Sequence, residues 1–293
     1  MSKMSKIFES RLKHKHSAIV DDADEADKYM EKRSLEEDDI FELPKLKYHT
    51  EVKNKLMFGC QMVIFNDVET TERTIIYLHG GAYVNEITTI HISFCDKIAK
   101  KTNATVFTPI YPLTPNHTYE ETYRIVEELY EFALKIGKPI TIMGDSAGGG
   151  LSVAFCEYLA KKEIAQPKHL ILISPWLDVT MSGDYDDYIE SDPMLGVDGL
   201  REVGEIWAGD LDPKDYRVSP MFGDITPLPQ TTLFVGTHEI LYPDITKFYE
   251  KLKDNGIDAK LFVGEEMTHV YPIYPLVPES KEAFNQIVEI ILG

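Results

Sequence analysis

Cysteine is scarce in this chain: Cys60, Cys95 and Cys156 are the three among 293 residues. An odd set without C-x-x-C spacing excludes a disulfide framework and a cysteine-built zinc site. Long apolar runs are missing as well, and none reaches the roughly 20 residues that would span a bilayer. Met1 to Val20 scatters Lys and His without an unbroken apolar stretch, so no secretory signal is expected and the protein reads as cytoplasmic. Positive charge is in short supply: 30 Lys and Arg stand against 49 Asp and Glu, a net charge of −19. Such a surface keeps a protein soluble and repels phosphate backbones and anionic lipid heads. Nucleic-acid and membrane partners are therefore not expected, and neutral or cationic small molecules are the easier ligands. No Walker loop, Rossmann fingerprint or H-E-x-x-H occurs, so no cofactor is expected. The acidic cluster Asp21, Asp22, Asp24 and Glu25 lacks metal-loop spacing and reads as a solvated face, so no metal is expected either.

What is present suits a folded enzyme core. Hydrophobic residues make up 43% of the chain, with 16 Tyr and 13 Phe, which argues against wholesale disorder. Residues 1–46 are charged and read as surface helices, with weak helical spacing at Ile7, Leu12, Tyr29 and Met30. Glu51 to Phe65 reads as a hairpin bending near Gly59. Strand, loop and helix then alternate. Strands are expected at Thr74–Leu78, Ala104–Pro109, Pro139–Met143, His169–Ile173, Thr231–Val235 and Ala259–Val263. Helices are expected at Thr88–Lys101, Thr118–Ile136, Ser146–Lys161, Tyr242–Asn255 and Ser280–Leu292. The long helix places Tyr123, Val126, Leu129 and Phe132 on one apolar face. This alternation predicts an α/β fold, a mostly parallel sheet covered on both faces, within one domain over 47–293. Ligands of such sheets bind at the carboxyl ends of the strands. The segment from about 178 to 224, rich in Asp, Tyr and Pro and with a helix at Val197–Trp207, reads as a cap insertion.

Gly144-Asp145-Ser146-Ala147-Gly148 fits G-x-S-x-G between an apolar strand and a helix. Small neighbours permit a turn sharp enough to present Ser146 as a nucleophile at the positive end of a helix dipole. Asp145 beside it is expected to face away and tie down the elbow. His79-Gly80-Gly81-Ala82-Tyr83 directly follows an apolar strand. Its glycines let backbone amides approach a developing oxyanion, a service whose loss costs about 100- to 1000-fold in rate. The amides of Gly81, Ala82 and Ala147 are expected to form that hole, with Gly80 an alternative to one of the first two.

With both motifs, the chain resembles the hormone-sensitive-lipase-like branch of the α/β-hydrolase esterases from about Thr74 onward. Further similarities lie at Ser174-Pro175-Trp176-Leu177-Asp178, Asp192-Pro193-Met194-Leu195 and Ser219-Pro220-Met221-Phe222-Gly223. Ala82 stands where many members carry a third glycine, a change that bears on pocket width. The fold's order of serine, acid, histidine puts the base near the C-terminus, and His269 follows the last strand in a loop like the family's histidine loop. For the acid, Glu239 occupies the place of the family's usual Asp, and Asp244 is the competitor, expected within the next helix. Tyr83, Trp176, Met194 and Tyr271 are expected to line the substrate pocket, with Trp207 a further candidate, and Asp178 to support the wall. The resemblance implies a serine carboxylesterase acting on short acyl esters, and a homodimer is possible. Rival readings are an amidase, deacetylase or lactonase on the same scaffold, or a hydrolase-derived receptor.

Overall fold

A computed structural model describes residues 2–12, 23–36, 40–225 and 228–293. Asp21 and Asp22 of the acidic cluster lie outside the described residues. Eight strands form one sheet in the order β1-β2-β4-β3-β5-β6-β7-β8. Strands β1 (Val52–Met57) and β2 (Cys60–Phe65) make the expected antiparallel hairpin. Phe58 and Gly59 both take positive φ at its turn, the backbone twist that a two-residue hairpin requires. β2 runs antiparallel to β4 (Ala104–Ile110), and every later pairing is parallel. Strands β3 (Arg73–Leu78), β5 (Ile140–Asp145) and β6 (His169–Ile173) are buried along almost their whole length. Their unbroken apolar runs have this cause: both faces of the sheet are covered by helices.

Helices α1 (Lys3–Leu12) and α2 (Ala23–Ser34) precede the sheet, as the N-terminal reading anticipated. Helices α3 (Thr89–Thr102), α4 (Tyr119–Ile136) and α5 (Ser146–Lys161) follow β3, β4 and β5. Thr118 and Glu121 form a reciprocal capping box at the start of α4, and Gly137 closes it in the left-handed conformation. Phe132 is not on the buried face of α4. It is about a third exposed and packs at the margin against Phe58 and Phe107.

The segment 178–224 holds a short helix α6 (Asp186–Ile189), which periodicity did not reveal, and α7 (Val197–Ala208). Met30 of α2 and Val203 of α7 close on Val84 in a separate small apolar cluster above the sheet. Beyond it come β7 (Gln230–His238), α8 (Tyr242–Asp254), β8 (Ala259–Thr268) and α9 (Pro278–Leu292). β7 and β8 run past their expected ends at Val235 and Val263. A bulge between Gly236 and His238 ends their ladder with His238 opposite Thr268. The next residue of each strand is therefore a neighbour of the other, and those residues are Glu239 and His269.

Candidate active site

Ser146 sits at the end of β5 with φ of 52°, the left-handed conformation of a sharp strand-to-helix turn. The turn is possible because α5 lies almost on the sheet: a Cβ at Gly148 would stand 2.1 Å from the carbonyl oxygen of Leu78. Alanine there would drive the helix off β3.

Three side chains form a hydrogen-bonded line at the carboxyl edge. His269 Nε2 lies 2.9 Å from Ser146 Oγ, and His269 Nδ1 lies 2.6 Å from Glu239 Oε2. The other carboxylate oxygen of Glu239 accepts bonds from Ser174 Oγ at 2.7 Å and from the Gly236 N–H at 2.6 Å. Ser174 Oγ in turn accepts the Val270 N–H at 3.0 Å, so one hydroxyl ties the acid to the histidine loop. Both His269 and Glu239 are buried. Burial disfavours the charged imidazole, yet hydrogen bonding and charge from Glu239, with Asp192 and Asp145 farther off, outweigh it and hold the His269 pKa above its ordinary value. Asp244 is elsewhere: it lies in α8 and accepts a bond from Tyr185 Oη at 2.6 Å.

Two supporting carboxylates surround this line. Asp192 takes the amides of Met194 and Leu195 on one oxygen and that of Ile240 on the other, stapling the insertion to the loop that carries Glu239. Burial pushes its carboxyl up to about 6. Asp145 does tie down the elbow, but it also borders the cavity, contrary to the expectation that it faces away. Its Oδ1 accepts the Tyr77 hydroxyl at 2.6 Å and the Gly80 N–H at 3.0 Å. Ser174 and Asp192 stand in motifs that the sequence singled out, but their roles depend on contacts across more than 40 residues.

The loop after β3 narrows the choice of oxyanion donors. The Gly80 N–H is committed to Asp145, so this alternative is removed. Gly81 and Ala82 border the cavity with φ of 126° and 52°. Ala147 is the second residue of α5, in the first turn, where the N–H groups have no partner within the helix.

A cavity of about 580 Å³ opens over Ser146 and His269. Met194 lines it as expected, and so do Ile87, Ile90, Leu195, Leu200, Ile273 and Tyr274. Tyr83, Trp176 and Tyr271 do not. Tyr83 stacks on Trp207 at 4.1 Å and near Trp176 at 5.7 Å, and its hydroxyl bonds the Ala147 carbonyl. Large flat rings gain more from one another in a dry, fully buried space than from a partly open cavity. Trp207 belongs to that stack, behind the pocket wall. Asp178 accepts four bonds from Thr180 and Ser182 and bends the chain where the insertion leaves the sheet. Tyr271 begins a short 3₁₀ turn, which directs Ile273 and Tyr274 at the cavity in its place.

An eight-stranded, mostly parallel sheet with an elbow serine at its carboxyl edge, faced by a buried histidine, defines an α/β-hydrolase. The family model described as alpha/beta hydrolase fold matches residues 75–273. An esterase of Acinetobacter venetianus is 33% identical over 223 residues, covering 73% of each chain. An acetyl-hydrolase of Streptomyces hygroscopicus is 29% identical, again over 73% of each. Among solved structures, EstE5, soaked with p-nitrophenyl butyrate, superimposes with a TM-score of 0.82 at 26% identity over 100% of this chain and 98% of its own. The chain belongs to the α/β-hydrolase fold family, and its relatives are carboxylic ester hydrolases by name. Among the described residues, no helix is long and apolar enough to cross a membrane.

Proposed function

We propose that this carboxylic ester hydrolase cleaves short-chain acyl esters through an acyl-enzyme on Ser146. The observation that carries the reading is the continuous line from Ser146 Oγ through His269 to Glu239. His269 Nε2 takes the hydroxyl proton as Ser146 attacks the ester carbonyl, and Glu239 holds the proton on Nδ1 and stabilises the imidazolium. The amides of Gly81, Ala82 and Ala147 receive the oxyanion. His269 then protonates the leaving alcohol, and water attacks the acyl-enzyme with His269 again as base. The cavity's largely apolar lining, from Ile87, Ile90, Leu195, Leu200 and Ile273, supports an uncharged acyl group. Names of relatives point the same way, acetyl-hydrolase among them. Helix α2, which packs on α7, and the insertion at about 178–224 act as the cap that sets pocket depth.

The test is a series of p-nitrophenyl esters from acetate to decanoate, beside the matching butyryl anilide. kcat/KM should peak at acetate to hexanoate, and Ser146→Ala should abolish turnover. A preference for decanoate refutes the chain length, preference for the anilide refutes the bond, and an active Ser146→Ala variant refutes the site.

A further inference from the structure

We propose that His91 is a positioning residue for the oxyanion loop, acting through Asp145, a role that rests on Ser146 being the nucleophile. His91 is buried at the start of α3, and its two ring nitrogens have fixed duties. Nδ1 accepts the Thr88 N–H at 3.0 Å, so Nε2 bears the hydrogen and donates it to Asp145 Oδ2 at 3.1 Å. Asp145 thus holds three donors: the His91 ring, the Tyr77 hydroxyl and the Gly80 N–H. Burial alone would raise the Asp145 pKa, but His91, Tyr77 and Gly80 outweigh it and keep it below the ordinary range. The carboxylate is therefore a fixed anion against which the loop is set.

Two contacts orient the loop. Asp145 holds the N–H of Gly80, and His79 Nδ1 lies 2.7 Å from the Gly80 carbonyl oxygen. In a trans peptide the carbonyl and the following N–H point in opposite directions, so the Gly81 N–H is turned away from His79. The fit is close, since a Cβ on Gly80 would lie 2.3 Å from Asp145 Oδ2 and 2.9 Å from Ser146 Cβ. A shift of the Asp145 carboxylate is thus passed to the loop and the nucleophile together.

His91 also completes a capping box with Thr88, which would be a purely structural duty. Two variants separate the roles. Glu is the usual residue at this position of a capping box, so His91→Glu keeps the cap, and at the alkaline end of the assay, where its carboxyl is ionised beside Asp145, it cannot donate. His91→Gln can accept from Thr88 and donate to Asp145. kcat and KM for p-nitrophenyl butyrate are measured per active site, titrated with diethyl p-nitrophenyl phosphate, and the Ki of a trifluoromethyl ketone is measured alongside. His91→Glu should lower kcat about 10- to 100-fold, part of what losing an oxyanion donor costs, with KM nearly unchanged. Its affinity for the ketone should fall by the same factor, while His91→Gln stays within about fivefold of wild type. Tyr77→Phe removes another donor to Asp145 without burying a charge, and it should lower kcat several-fold if His91→Glu does not fold. Equal kcat for His91→Glu and His91→Gln, whether both high or both low, overturns the proposal, as does a wild-type kcat in Tyr77→Phe. Turnover surviving in Ser146→Ala would instead overturn the site on which it rests.

Discussion

Glu239→Gln tests the chemistry with the least change of shape. Glu239 is fully buried and accepts bonds from His269, Ser174 and Gly236. Glutamine can keep the last two through its oxygen, which leaves its NH₂ facing His269 Nδ1. That nitrogen must then accept, so the ring hydrogen moves to Nε2 and Ser146 loses its base. A wrong tautomer of this kind costs about 10,000-fold in kcat, four decades or about 5.5 kcal/mol of transition-state stabilisation. The pH profile supplies a second readout. The base acts unprotonated, so kcat/KM rises with pH through the His269 pKa, and Glu239 is the main group holding that pKa up against burial. Removing the charge should move the acid limb of the profile to lower pH. The assay is kcat/KM for p-nitrophenyl butyrate from pH 5 to 9, with thermal unfolding to check the fold. A folded variant that loses less than tenfold, or whose acid limb stays in place, would refute the assignment of Glu239.

Glu157, on α5, is fully buried with neither oxygen hydrogen-bonded, and burial pushes its carboxyl up to about 9. An unfolded carboxyl ionises near 4.5, so this group costs stability progressively as pH climbs from there to about 9. In urea unfolding, Glu157→Gln should therefore gain about 4 kcal/mol more at pH 8.5 than at pH 5.5, and a gain independent of pH would refute the buried neutral acid. Gly148→Ala should destabilise by about 1–3 kcal/mol through overpacking and depress kcat by displacing the elbow, as melting and rate measurements will show. Trp207→Ala should cost about 3–5 kcal/mol in unfolding free energy while the KM for acetyl esters stays near wild type, because the ring lies behind the cavity wall.

Much of this site could be read from the chain because its chemistry is local. An elbow serine needs small neighbours on both sides, and Gly144 to Gly148 display them in sequence. The alternation of apolar runs likewise exposed the sheet, since fully covered strands leave a continuous signature. Other features had no local signal. The far ends of β7 and β8 carry His238, Glu265 and Glu266, too polar to look like strand, and the two glutamates fall in the irregular stretch between the Gly236–Gly264 and His238–Thr268 pairs. Tyr83, Trp176 and Tyr271 have the composition of a pocket, but hydropathy cannot tell a ring facing a ligand from a ring facing another ring. The serine–acid–histidine order passes over His91, because that rule locates the proton-transferring histidine and says nothing about one that holds a carboxylate.

The close approach of α5 to β3 has a consequence for how this molecule can vary. Leu78 and Gly148 meet through main-chain atoms, so the height of the nucleophile above the sheet is gauged by parts common to every amino acid. Side chains farther from that seam can be exchanged over long histories, and the hydroxyl will still arrive at the same station, as long as no methyl group is added at Gly148 or at Gly80 and Gly144 beside it.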